Sequence, residues 1–167
     1  MSIKKNTFIL AMVSLIALTG QANATCPKNT TSLAVKGKIY DNAVAPGVTL
    51  GIVRMSGRNS KLDCAMMGNG GAGPDGSINF IHTLFCANNE TTHSQLTLST
   101  SGSGTFQSCD PENPAAGIHG TFSEISIPLS GRGIFQGVTA GKLVINGSIN
   151  CQLAIDIQFE GEICLPN

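Results

Sequence analysis

The sequence predicts an all-β fold, an antiparallel barrel of about eight strands with a β-sandwich as the alternative, stapled by disulfides. Three observations carry this. Apolar and polar residues alternate through most of the chain after residue 24, the period of half-buried strands. Nineteen glycines fall in that stretch and gather at the joints between the alternating runs. No window of ten or more residues there carries a helical period.

The first 24 residues stand apart. Met1 to Ala24 reads as an export signal of the bacterial Sec type, with Lys4 and Lys5, an apolar run from Phe8 to Leu18, and a small-residue cleavage site at Ala22-Asn23-Ala24. That run of about 11 residues is shorter than the roughly 20 that span a bilayer. Residues 25–167 are therefore expected to form one exported domain of 143 residues with no membrane span, large enough for a real core. Its destination is the periplasm or the medium, where thiols oxidise.

The elements follow in order. Leu33 to Tyr40 alternates cleanly, and Ala45-Pro46-Gly47 breaks it before a second run, Val48 to Met55. Lys61 to Met67 is a shorter strand, and the glycine-rich stretch Gly68 to Gly76 reads as a loop. Ser77 to Cys86 places Ile78, Phe80, His82 and Leu84 on one face and Ile81 and Phe85 on the other, so both faces are expected to be covered. Ser94 to Thr100 alternates through Leu96 and Leu98, and Thr105 to Cys109 is a short candidate. In Gly117 to Ile127 the apolar positions switch from Ile118 and Phe122 to Ile125 and Ile127, which predicts a bulge. Leu143 to Ile149 and Leu153 to Ile163, separated by a turn at Cys151-Gln152, are the clearest pair.

Cys26, Cys64, Cys86, Cys109, Cys151 and Cys164 form an even set in a chain read as exported, and they are expected to be disulfide-bonded. Their spacing matches no zinc pattern. By alternation Cys164 falls on the polar face of its strand and Cys151 on the apolar face of the preceding one, which disfavours a bridge between them. The preferred pairs are Cys26 with Cys64 and Cys86 with Cys109.

Ser130 to Leu143 contains Gly131-x-Gly133-Ile134-Phe135-x-Gly137-x-x-x-Gly141 and leads into a strand. Physically this is a tight corner, with glycines allowing close backbone approach and Phe135 plugging a barrel end. A dinucleotide-binding loop would lead into a helix instead. The stretch resembles the corner of the allene oxide cyclase and dirigent-type barrels over about 20 residues. That resemblance implies an eight-stranded antiparallel barrel that binds small apolar molecules and, in some members, steers a cyclisation. No catalytic residue carries over, because no family motif matches the earlier strands.

Composition narrows the partners. Residues 25–167 hold 8 basic and 10 acidic side chains with no basic run, no Trp and a single tyrosine, Tyr40. Nucleic-acid binding needs a concentrated positive footprint and stacking platforms, so it is not expected. No cofactor is implied. The histidines His82, His93 and His119 have no metal-ligand spacing, and no metal is expected. His82, on an apolar face, is the first candidate for acid–base chemistry, with a barrel-lining structural role as the plainer reading. Glu124 is the second, since burial would raise its pKa, although an outward, solvated position is expected for it. His119 is expected on the surface, with Glu124 as its conceivable partner.

Three functions are compatible with these features. The first is a barrel that binds a small apolar ligand. The second is a structural or interaction protein of the envelope or secreted set, meeting a protein partner without a ligand site. The third is a cyclase- or isomerase-like enzyme using His82 or Glu124 in a cavity. A roomy interior would favour the first or third; a filled interior beneath an exposed apolar patch would favour the second.

Overall fold

Eight antiparallel strands, each bonded to the next in sequence, close into a barrel when the last pairs with the first. They are β1 (Thr30–Ala45), β2 (Val48–Gly57), β3 (Ser60–Ala72), β4 (Ser77–Ala87), β5 (His93–Phe106), β6 (Ile118–Arg132), β7 (Ala140–Asn150) and β8 (Ala154–Pro166). The structure, a computed structural model, describes residues 26–57, 60–87, 93–110, 112, 118–138 and 140–167. The expected export signal lies outside the described residues. Among the described residues no helix is long and apolar enough to cross a membrane.

Short turns follow from local chemistry. Pro46 and Gly47 (φ 73°) join β1 to β2, the pairing that a tight turn with positive φ at its second central residue requires. Asp75 accepts hydrogen bonds from the Ser77 amide (3.0 Å) and hydroxyl (2.6 Å) to shape the β3–β4 turn. These bonds hold the exposed Asp75 carboxyl below its ordinary range. Asn150 does the same between β7 and β8, accepting from the amides of Gln152 (2.9 Å) and Ala154 (3.0 Å).

Alternation places one face of every strand inside. Val35, Val53, Met66, Leu84, Leu96, Leu143, Phe159 and Ile163 form the core. Wide side chains on one strand lie over glycines on the next: Phe159 over Gly37 and Phe122 over Gly147. The barrel is thus filled by ring and glycine in complementary positions.

Five expectations need correction. Only the inner face of β4 is covered, since Ile81 and Phe85 on the other are 41% and 49% exposed. Gly68 to Ala72 belongs to β3, since these residues pair with His82 to Ile78 of β4. Thr105 and Phe106 end β5, whereas Cys109 lies beyond it, so no separate strand runs there. Leu153 sits in the last turn with φ 64° and is exposed rather than inward. The cysteine pairs are Cys26–Cys164, Cys64–Cys86 and Cys109–Cys151. Cys64 and Cys86 are direct cross-strand partners. The alternation of β8 does put Cys164 opposite the inward Ile163, and it is nevertheless fully buried where it meets Cys26. The closure of β8 onto β1 brings those two together, a contact 138 residues apart in sequence.

β6 does bulge, but not at the switch between Phe122 and Ile125 from which a bulge is expected; Ile125 and Ile127 simply face solvent. The β6–β7 register slips between Ile118 and Gly120, leaving His119 as the extra residue. A second slip, in β5–β6, falls at Leu129. From Gly120 to Pro128 alternation holds, with Glu124 and Ser126 inside and Ile125 and Ile127 outside.

The corner after β6 is a single 3₁₀ turn, Gly133–Phe135. Gly133 (φ 65°) and Gly137 (φ 75°) take the left-handed backbone that bends the chain across the barrel mouth. Phe135 is completely buried there. Ser94 of β5 fixes the corner by accepting from the Ile134 amide at 3.0 Å.

Candidate functional site

Apart from Ser94 at the opposite mouth, the buried polar side chains lie from the middle of the barrel toward the end that holds the β1–β2, β3–β4, β5–β6 and β7–β8 connections. Asp41 of β1, Thr49 of β2, His82 of β4, Thr100 of β5, and Glu124 and Ser126 of β6 are all buried. Register brings several of them together. Thr100 pairs with Ser126 across β5–β6, and Gly68 pairs with His82 across β3–β4.

A hydrogen-bonded chain results. His82 Nδ1 meets Thr100 Oγ1 at 2.9 Å, and Thr100 Oγ1 meets Ser126 Oγ in turn. The imidazole stacks on Phe80, its neighbour two residues earlier, with ring centroids 5.3 Å apart. Its other edge lies over Gly68: a Cβ built there would be 2.8 Å from His82 Cδ2 and 2.5 Å from Thr49 Oγ1. Glycine at 68 is therefore what admits the ring. Thr49 Oγ1 is buried without a well-formed hydrogen bond among the described residues, although it approaches Asp41.

Burial sets the charge states. It pushes the His82 pKa down to about 4, so the imidazole is neutral under ordinary conditions. It pushes Glu124 up to about 7, with no partner to offset it. Asp41 is also raised by burial, against the opposing pull of the Thr49 hydroxyl and the Asn42 amide, the latter donating to Oδ1 at 2.9 Å. Glu124 lies inside with its Cγ over Gly102, so the outward expectation is overturned. The error arose from assigning Ile125 and Ile127 to the core; they are 38% and 51% exposed.

The chemistry available to this group depends on space. The enclosed cavity beside it measures about 20 Å³ and is lined by apolar side chains such as Val53, Leu98 and Phe159 together with His82 and Ser126. A volume of that order holds one water. His82 borders this small space, and Glu124 does not line it.

A second cluster sits at the same end of the barrel, and no residue spacing reveals it. The bulge at His119 turns its ring toward the loop after β5, where Nδ1 lies 3.4 Å from Cys109 Sγ. Phe106 packs against the imidazole at 6.0 Å. His119 is half-buried, and its contacts run to Cys109 and Phe106 rather than to Glu124. One ligand atom each of Cys109, His119 and Cys151 fall within 4.8 Å of one another. With the bridge closed, its sulfurs offer no thiolate to a metal.

The outer surface is divided by charge. A broad depression across β7, β8, β1 and β2 carries Lys36, Lys38, Arg54, Asp156 and Glu160. Arg54 and Asp63 approach to 3.9 Å there, but both are well exposed and contribute little. The opposite side has a different character. The outward positions of β4, of β5 beyond His93, and of β6 from Thr121 to Leu129 carry no charged residue. Ile81, Phe85, Ile125, Ile127 and Leu129 are 38–55% exposed on that side. Ile81 and Ile127 flank Ser99 from either neighbouring strand.

Comparison of this chain with family models, with curated proteins and with solved structures finds no match.

Proposed function

We propose that this protein is an exported structural or interaction module that works through its outer surface, docking the uncharged face of β4–β6 onto an apolar surface of a protein partner. One observation carries the reading: a row of aliphatic and aromatic side chains stands exposed on a charge-free face above an interior with space for a single water. Large contiguous apolar patches on a folded surface mark contact sites, and a filled small barrel has no lumen to offer. Three disulfides fit an oxidising compartment outside the cytoplasm. The periplasm or the medium is the proposed location, reached through the signal read at Met1 to Ala24.

The pattern argues against burial in lipid. Core residues inside and Lys36, Lys38 and Glu160 outside at mid-strand reverse the arrangement of a membrane-spanning barrel. The small-ligand and cyclase-like alternatives would require the interior to open around His82 and Glu124. The likeness of the corner to the allene oxide cyclase and dirigent-type barrels supports a shared architecture within this proposal and brings no catalytic residue.

Native mass spectrometry of the oxidised protein from its own host is the test, joined to photo-crosslinking in the same cells. The expected mass is that of the bare chain, or multiples of it, lowered by two hydrogens for each of the three bridges. A crosslinker at Phe85 or Ile127 is expected to give a discrete protein adduct that one at Lys36 does not. A retained small molecule that is lost on His82→Asn, or no adduct from any position on the uncharged face, overturns the reading.

A further inference from the structure

The three bridges sit in unlike surroundings. Cys64 and Cys86 are both buried, and Cys164 is fully buried beneath its half-buried partner Cys26. Cys109 and Cys151 are both half-exposed and lie outside the strands, Cys109 in the loop after β5 and Cys151 in the β7–β8 turn. Only this bridge has an imidazole in contact with a sulfur among the described residues, His119 Nδ1 at 3.4 Å from Cys109 Sγ.

We infer that Cys109–Cys151 is an exchange-reactive disulfide, a site for thiol–disulfide exchange with a small or protein thiol, and that His119 directs the reaction. Exchange needs an accessible sulfur to attack and a stabilised thiolate to leave. The incoming thiolate attacks Cys151 Sγ; the S–S bond breaks, its electron pair goes to Cys109 Sγ, and the product is a mixed disulfide at Cys151. The Cys109 thiolate is held by the adjacent protonated imidazole, the setting that makes a cysteine a good leaving group. A second thiol then attacks the mixed disulfide, leaving both cysteines reduced and one external disulfide formed. No other oxidant or reductant is needed.

The other two bridges lack these conditions. Attack on Cys26 would expel the thiolate of the fully buried Cys164, away from water, where a thiolate is disfavoured. Cys64–Cys86 exposes neither sulfur. The surroundings of His119 are compatible with the role. Phe106 backs the ring, and the Asp110 carboxylate, next in sequence to Cys109, is engaged by the Glu112 amide at 2.9 Å. Glu112 is the other nearby acid, and the β7–β8 turn contributes only Asn150 and Gln152.

The test is stepwise opening of the oxidised protein with a small thiol under native conditions, followed by alkylation and mapping by mass. Cys109–Cys151 is expected to open first, with the thiol captured on Cys151 and Cys109 free for alkylation. Alkylation of Cys109 is expected to persist to about pH 6, whereas His119→Gln should return its midpoint to the ordinary thiol range near 8.5 and slow opening by about tenfold. Opening of either other bridge first overturns the inference, and that comparison needs no variant. An unchanged rate and pH profile in His119→Gln overturns it equally.

Discussion

Burial keeps Glu124 protonated up to about pH 7 and His82 neutral down to about pH 4. The two act on stability with opposite signs. The folded value of Glu124 lies above the unfolded one, 4.5. Its contribution is intact below pH 4.5 and is lost as pH rises through 7, about 3 kcal/mol in full. The folded value of His82 lies below its unfolded 6.5. Its contribution is present above 6.5 and is lost as pH falls through 4, again about 3 kcal/mol. Between those limits the unfolded chain gains a proton at His82 while the folded chain gains one at Glu124, so the two slopes nearly cancel. Urea unfolding should therefore show little dependence on pH from this pair between about pH 4 and 8. Glu124→Gln is expected to uncover a fall in stability on acidification, and His82→Asn a fall toward alkaline pH. A flat profile in both variants would show that neither group is held as described. At this scale the sequence marked both residues as the ones to watch, yet not their directions. His82 shares its face with Phe80 and Leu84, so alternation places it inside. Glu124 alternates with two isoleucines that face solvent, and apolar periodicity there points the wrong way.

Strand alternation and turn chemistry were legible at the level of elements. Pro46-Gly47 and the β7–β8 turn follow from residues a few positions apart, whereas the bulge at His119 does not follow from the switch between Phe122 and Ile125. The glycine-rich end of β3 was not legible, because its pairing rests on side chains from another strand. Gly68 makes room for His82, a fact that no local window contains. The corner after β6 was read correctly, and it gives a sharp test. Phe135 is wholly buried and packs with Leu96 and Val138 in the core cluster. Truncation to Ala should cost about 3–5 kcal/mol in equilibrium unfolding, since the void lies at a mouth braced by Ser94. A loss below about 1 kcal/mol would mean that the corner collapses to fill the space.

Closure governs the whole molecule. Seven of the eight strand pairings join consecutive strands, and the eighth joins β8 to β1 across nearly the entire chain. That pairing was invisible to a reading of neighbouring residues, and so was the Cys26–Cys164 bridge that depends on it. Replacing both cysteines by Ser is expected to lower stability by about 2–5 kcal/mol, measured by thermal or urea unfolding of the otherwise oxidised protein. No loss would place the strength of closure in the thirteen paired positions of β1 and β8 alone.

A sheet closed on itself has no outer strand whose amide and carbonyl groups lie unpaired. The uncharged face of β4–β6 can therefore join another molecule only through its side chains, never by adding a strand. Backbone-templated polymerisation requires the β1–β8 seam to part first. Cys26–Cys164 stands at one end of that seam, the better shielded of the two bridges that reach outside the barrel wall. A chain can then exchange thiols at Cys109–Cys151 while the seam against fibril growth stays locked.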